Sequence, residues 1–134
     1  MELFQDHLGA RVGVSVPQQP GSCDDFLIKS DKYPNTFGAT LLGLADGEAP
    51  DAGLLVDEAL AGNLEVLWVF GHDLVKLFGE ENVRRISEQV PLVVFSGTND
   101  NPTASFADWV LPTAAYVEQD VTFVHCPGRL QPIV

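Results

Sequence analysis

The stretch Leu64–Pro112 decides the fold of this chain. It begins with Leu-Glu-Val-Leu-Trp-Val-Phe-Gly-His-Asp at positions 64–73, continues with Pro-Leu-Val-Val-Phe-Ser-Gly-Thr-Asn-Asp-Asn-Pro-Thr-Ala at 91–104 and ends with Ala-Asp-Trp-Val-Leu-Pro at 107–112. Leu64–Phe70 and Leu92–Phe95 are nearly continuous apolar runs that are rich in Val and aromatic residues, a pattern typical of strands buried on both faces. Each run stops at a glycine, so the stretch predicts two short, buried strands.

The segment between the two runs predicts how the strands are connected. Asp73–Gln89 is long enough for a crossover helix, and Asp73 is a residue type that caps helix starts. Strand, helix and strand in this order predict a parallel pair with a right-handed crossover. The loops after Phe70 and Phe95 would then share one edge of the sheet, where open α/β sheets bind their ligands.

Further elements are predicted on both sides of this unit. We expect Trp109 and Phe123 to be core residues, because both lie in short apolar segments near the sheet. We also expect a single α/β domain over residues 1–134, with residues 1–23 as an irregular arm. The predicted elements are helices at Thr36–Leu42, Leu54–Ala61 and Thr103–Ala107, a third strand at Trp109–Leu111, and two extended pieces, Val121–Val124 and Leu130-Gln131, around a turn at Pro127-Gly128.

Composition restricts the class of protein. The chain has 134 residues, of which 46% are hydrophobic, and a formal net charge of −12 at pH 7. Such a charge disfavours nucleic acid and anionic membranes as partners. No apolar run approaches the ~20 residues that span a bilayer, and no signal pattern precedes the chain's first elements, so we expect a cytoplasmic protein.

The cysteines and histidines give no pattern of metal ligands. Cys23 and Cys126 lie far apart, and neither belongs to a C-x-x-C pair. His125 and Cys126 are neighbours, but adjacent side chains of an extended segment point to opposite faces. We therefore expect neither a disulfide nor a bound metal ion.

The usual catalytic motifs are also missing, since the chain has no G-x-S-x-G, Walker or G-x-G-x-x-G sequence after a strand. His72 is a candidate acid–base group, but a histidine that orders a loop is the simpler interpretation. The loop Ser96–Thr103 is small and polar, so its backbone amides can approach a phosphate or a hydroxyl-rich ligand. Its Asn and Asp side chains can equally bond their own backbone, and the residues alone do not decide between these interpretations.

Two longer segments resemble a known family. Thr103-Ala-Ser-Phe-Ala-Asp-Trp-Val-Leu-Pro-Thr-Ala-Ala-Tyr-Val-Glu118 and Val121-Thr-Phe-Val-His-Cys-Pro-Gly-Arg-Leu-Gln131 resemble the molybdopterin oxidoreductase family, which carries T-A-x-x-A-D-x-V-L-P, then E, then G-T-F-x-N-x-E-G-R-x-Q. Upstream, Asp24-Asp-Phe-Leu-Ile-Lys-Ser-Asp-Lys-Tyr-Pro-Asn-Thr is similar to the version in the large iron–sulfur subunit of NADH–quinone oxidoreductase, respiratory complex I.

The resemblance implies a three-layer, Rossmann-like α/β domain with a central, mainly parallel sheet. In catalytic members such as formate dehydrogenases and nitrate reductases, that domain helps to hold the guanine-dinucleotide arm of the molybdenum cofactor. In complex I the corresponding subunit has generally lost the cofactor, its iron–sulfur clusters lie in other modules, and the α/β body is mainly a scaffold. The resemblance thus implies a non-catalytic piece of a larger oxidoreductase subunit, without a cofactor of its own.

The resemblance also implies partners and a location. The partners would be the remaining domains of the same subunit and other respiratory-complex subunits, on the cytoplasmic side of a membrane. Two alternatives stay open, a domain that holds the cofactor in a true molybdenum enzyme and a free-standing nucleotide-binding module. The flanking coding sequence would distinguish them.

Six positions match the cofactor side of the family domain, and three others depart from it. Many members have Gln-Asp where Ser96-Gly97 stand, so an acidic hydrogen-bonding group is missing here. Val121 replaces the usual Gly, and His125 replaces the usual Asn. These changes predict a weakened cofactor site. The six candidate cofactor-binding residues are Gly71, His72, Asp73, Asn101, Thr103 and Asp108.

Overall fold

The fold was derived from a computed structural model, which describes residues 7–15, 22–24, 26, 28, 36–44, 52–125 and 128–133. The chain falls into two compact units, Gly53–Gln119 and the combination of Met1–Ala52 with Asp120–Val134. The single domain over residues 1–134, with its arm at 1–23, stays a prediction. Within the described ranges, no helix has the length and apolar character needed to cross a membrane.

The helices and strands follow the predicted order closely. The helices predicted at Thr36–Leu42 and Leu54–Ala61 are present with small shifts at their ends, and the segment predicted as a helix at Thr103–Ala107 is a 3-10 helix. The elements are α1 (Thr36–Leu41), α2 (Ala52–Leu60), β1 (Val66–Phe70), α3 (Leu74–Phe78), α4 (Glu80–Gln89), β2 (Leu92–Gly97), a 3-10 helix (Pro102–Phe106), β3 (Trp109–Pro112), a second 3-10 helix (Tyr116–Glu118), β4 (Val121–His125) and β5 (Arg129–Ile133).

The unit Gly53–Gln119 is built on a three-stranded sheet in the order β1-β2-β3. β2 pairs with both neighbours in parallel, and Val94 is in register with Trp68 on one side and with Trp109 on the other. The two apolar runs are therefore adjacent and parallel, as predicted. A parallel sheet with flanking helices confirms the α/β fold class.

One face of this sheet packs against a layer of helices. Leu67 and Val69 of β1, together with Val93 and Phe95 of β2, contribute to the apolar core. From the other side, α2, α3, α4 and the first 3-10 helix supply the side chains that bury this face. The core residues from these helices include Val56, Ala59, Leu74, Val83 and Ile86. The crossover between β1 and β2 is thus helical, as predicted, but it is divided into α3 and α4 at Gly79.

The second face of the sheet is not covered by any helix of Gly53–Gln119, a range whose backbone the structure describes throughout. Its exposed side chains are those of Val66, Trp68, Phe70, Trp109 and Leu111, and we call this surface the open face. The prediction that β1 is buried on both faces was therefore wrong, because β1 alternates between buried and exposed positions. Only β2, which lies between two strands, is buried on both sides.

Trp109 corrects a second prediction. It was expected in the core, but 64% of its surface is exposed on the open face. The cause is its place on the edge strand β3, where it lies in register with Val94 and on the side away from the helices. Phe123, in contrast, is partly buried in β4.

The other unit contains an antiparallel hairpin. β4 pairs with β5 from Val121 opposite Ile133 to His125 opposite Arg129. Gly128 lies in the turn, and Phe37 of α1 packs close above it. The two extended pieces joined by a turn are thus confirmed. The sequence of Glu2–Leu8 also permits a short helix, but this segment lies largely outside the described residues.

Burial predicts how two phenylalanines of neighbouring strands differ in their contribution to stability. Phe95 is 1% exposed within the helix-facing core, whereas Phe70 is 62% exposed on the open face. We expect Phe95→Ala to lower the free energy of unfolding by ~3–5 kcal/mol. We expect Phe70→Ala to lower it by less than ~1 kcal/mol. Urea denaturation followed by circular dichroism would measure both, and equal losses would contradict the assignment of the two sheet faces.

Candidate functional site

The candidate site lies where β1 and β2 end. Gly71 directly follows β1 and takes a φ of 66°, a left-handed conformation that favours glycine. Its backbone N–H donates to the carbonyl oxygen of Ser96 at 2.7 Å, which extends the pairing of β1 with β2 by one residue. His72 follows and is partly buried. Gly71 therefore turns the chain from β1 toward α3 at the carboxyl edge of the sheet.

Asp73 begins the helix that leads away from this edge. It is the N-cap of α3, and its Oδ1 accepts a hydrogen bond from the backbone N–H of Lys76 at 3.1 Å. The same carboxylate oxygen accepts a second hydrogen bond, from the hydroxyl of Thr103, at 3.3 Å. An aspartate that caps a helix start in this way satisfies a backbone donor that would otherwise have no partner. The predicted capping role of Asp73 is confirmed.

Thr103 connects the end of β1 with the crossover that follows β2. Its side chain is buried, and its Oγ1 accepts a hydrogen bond from the backbone N–H of Leu74 at 2.7 Å. Its own backbone N–H donates to Oδ1 of Asn101 at 2.9 Å, so that Asn101 caps the first 3-10 helix. We call the group formed by Asp73, Leu74, Asn101 and Thr103 the Thr103 junction.

The sequence left open whether the polar loop Ser96–Thr103 binds a ligand or bonds to itself. At Asn101 the structure shows the second arrangement, since the side chain caps its own backbone two residues on. Five of the six candidate residues, Gly71, His72, Asp73, Asn101 and Thr103, belong to the two segments that follow β1 and β2. The structure thus brings these two segments together at one edge of the sheet.

The sixth candidate, Asp108, lies at the opposite edge. Its Oδ2 accepts a hydrogen bond from the backbone N–H of Val93 at 2.7 Å, and its backbone N–H donates to the carbonyl oxygen of Val93 at 2.8 Å. Val93 is near the beginning of β2, and Asp108 immediately precedes the parallel strand β3. Asp108 therefore fastens the start of β3 to the start of β2, away from the other five residues.

The end of β2 contains two arrangements that sequence reasoning missed. Ser96 is buried, and its Oγ accepts a hydrogen bond from the indole Nε1 of Trp68 at 2.8 Å. A Cβ atom added to Gly97 would lie 2.7 Å from Cζ of Phe95. Residues two apart on a strand share a face, so the alternation of β2 already indicated that Gly97 lies beside Phe95. No sequence signal pointed to the bond between Trp68 and Ser96, which lie 28 positions apart.

Comparison with known proteins identifies the family. A family model described as molybdopterin oxidoreductase matches residues 21–133, which is most of the chain. The chain belongs to the molybdopterin oxidoreductase family. A comparison with curated proteins gives no significant match.

The carboxyl edge can be compared with what the guanine dinucleotide of this molybdopterin oxidoreductase family requires. Guanine presents N–H donors that a carboxylate accepts well, and a pyrophosphate requires amide donors or cations. Ser96 and Gly97 offer no carboxylate, and the space beside Gly97 is filled by the ring of Phe95. Of the basic residues in Gly53–Gln119, only Lys76 lies on a helix that begins at this edge. The end of β2 therefore lacks a carboxylate acceptor for the guanine group at Ser96 and Gly97.

The other two departures from the family pattern fall in β4. Val121 pairs with Ile133 in extended conformation, which suits a β-branched residue. His125 closes the paired part of the hairpin opposite Arg129. Both positions thus belong to regular antiparallel pairing in this chain.

The described residues contain no group of three or more His, Cys, Asp or Glu side chains that could hold a metal ion. Cys23 is a free, exposed thiol. The absence of a metal ion from the protein itself stays a prediction, which elemental analysis of the purified chain would test.

Replacing the hydroxyl of Thr103 should destabilise the fold. Thr103→Val keeps the shape but leaves the buried N–H of Leu74 without its acceptor, which should cost about 1–3 kcal/mol of unfolding free energy. Thr103→Ser keeps the hydroxyl and should lose only about 1 kcal/mol, the value of one methyl group. Thr98→Val, at an exposed position of the same loop, should change stability by no more than ~0.5 kcal/mol. Chemical denaturation would rank the three variants, and a Ser variant less stable than the Val variant would contradict the bonding role.

Introducing a carboxylate at the end of β2 should also lower the free energy of unfolding. In Gly97→Asp the new Cβ would meet the ring of Phe95, which is itself buried. Forcing extra volume against a packed core side chain typically costs ~1–3 kcal/mol. The double variant Gly97→Asp with Phe95→Leu should recover part of that loss relative to the sum of the single variants. Thermal denaturation of the three proteins would measure this coupling, and strictly additive losses would contradict it.

Proposed function

We propose that this chain is a non-catalytic α/β domain of a protein similar to the large iron–sulfur subunit of NADH–quinone oxidoreductase, where it supports electron transfer from NADH to quinone as a scaffold. The family assignment makes the parent an oxidoreductase. The upstream segment from Asp24, which is similar to that complex I subunit, supports the narrower assignment.

The observation that carries the scaffold role is the bonding of the Thr103 junction. Asp73 accepts from Lys76 N–H and from the Thr103 hydroxyl, and Asn101 accepts from the Thr103 N–H. Oδ1 of Asp73 and Oδ1 of Asn101 already accept hydrogen bonds from backbone donors of the protein itself. Binding a ligand through them would require breaking bonds that fix the starts of two helical segments.

A second candidate is a domain that holds the guanine-dinucleotide arm of the molybdenum cofactor in a formate dehydrogenase-like or nitrate reductase-like enzyme. It is favoured by the position of the Gly71 turn at the carboxyl edge of a parallel sheet, where α/β folds bind nucleotides. The end of β2 argues against this second candidate, because Gly97 provides no carboxylate and Phe95 fills the adjacent space. We therefore rank the scaffold first and propose that the chain has no cofactor of its own.

The scaffold role implies its own partners and place in the cell. The domain would contact the remaining domains of its subunit and other subunits of a respiratory complex. The parent would be peripheral, on the cytoplasmic side of the membrane. The acidic composition supports protein partners over nucleic acid.

Titration with GDP tests whether a guanine site has been kept. We expect an affinity no tighter than about millimolar, because a single domain supplies only part of the surface that encloses a dinucleotide. Isothermal calorimetry would compare the chain with Asn101→Ala and with Asn99→Ala, an exposed neighbour in the same loop. Micromolar binding that is lost in Asn101→Ala and retained in Asn99→Ala would mean that a working site exists, and the cofactor-holding candidate would replace the scaffold.

The coding sequence around this chain tests the assignment to complex I. Iron–sulfur cysteine motifs upstream, together with neighbouring genes for other complex I subunits, would support it. An intact set of molybdenum and pterin ligands in the same reading frame would contradict it.

A further inference from the structure

We draw no further inference here: the strongest candidate, the open face that Trp68 of β1 and Trp109 of β3 share on the three-stranded sheet, is an apolar surface for which nothing among the described residues shows what covers it.

Discussion

The position of β2 between two parallel neighbours is the constraint on which the rest of Gly53–Gln119 depends. Its backbone donors and acceptors are used on both edges, and its side chains from Val93 to Ser96 are buried on both faces. Because parallel strands cannot be joined by a tight turn, each connection must cross one face of the sheet. Both crossovers use the same face, one through α3 and α4 and the other through the first 3-10 helix. That choice creates the core on one side and leaves the open face on the other.

The Thr103 junction follows from the same constraint. Both crossovers leave the sheet at its carboxyl edge, so the start of α3 and the start of the first 3-10 helix come close together. Each start has backbone donors without partners inside its own helix. At the start of α3, Asp73 accepts from the N–H of Lys76 and the hydroxyl of Thr103 accepts from the N–H of Leu74. At the start of the first 3-10 helix, Asn101 accepts from the N–H of Thr103. The edge at which related folds bind a nucleotide is thus used here to hold two crossovers in register, a use that suits a scaffold.

The sequence predicted what depends on local pattern. The parallel pairing, the helical crossover and the cap at Asp73 all followed from runs, spacing and residue type. Whether both faces of β1 are buried could not be predicted in the same way. An apolar run shows that a strand can be buried on both faces, but it does not show whether a second layer of helices is present. Trp109 was assigned to the core for that reason. Asp108 was grouped with the other candidate residues because it matches a cofactor-side position of the family, yet the short crossover after Thr103 carries the chain to the opposite edge.

The carboxyl edge and the open face differ in what they offer to other molecules. At the carboxyl edge Asp73, Asn101 and Thr103 bond to groups of the protein itself, and the ring of Phe95 fills the space beside Gly97. On the open face the apolar surface remains accessible, and its one polar pair is satisfied internally. The bonding at the carboxyl edge therefore supports the proposed scaffold role over a role in holding a nucleotide.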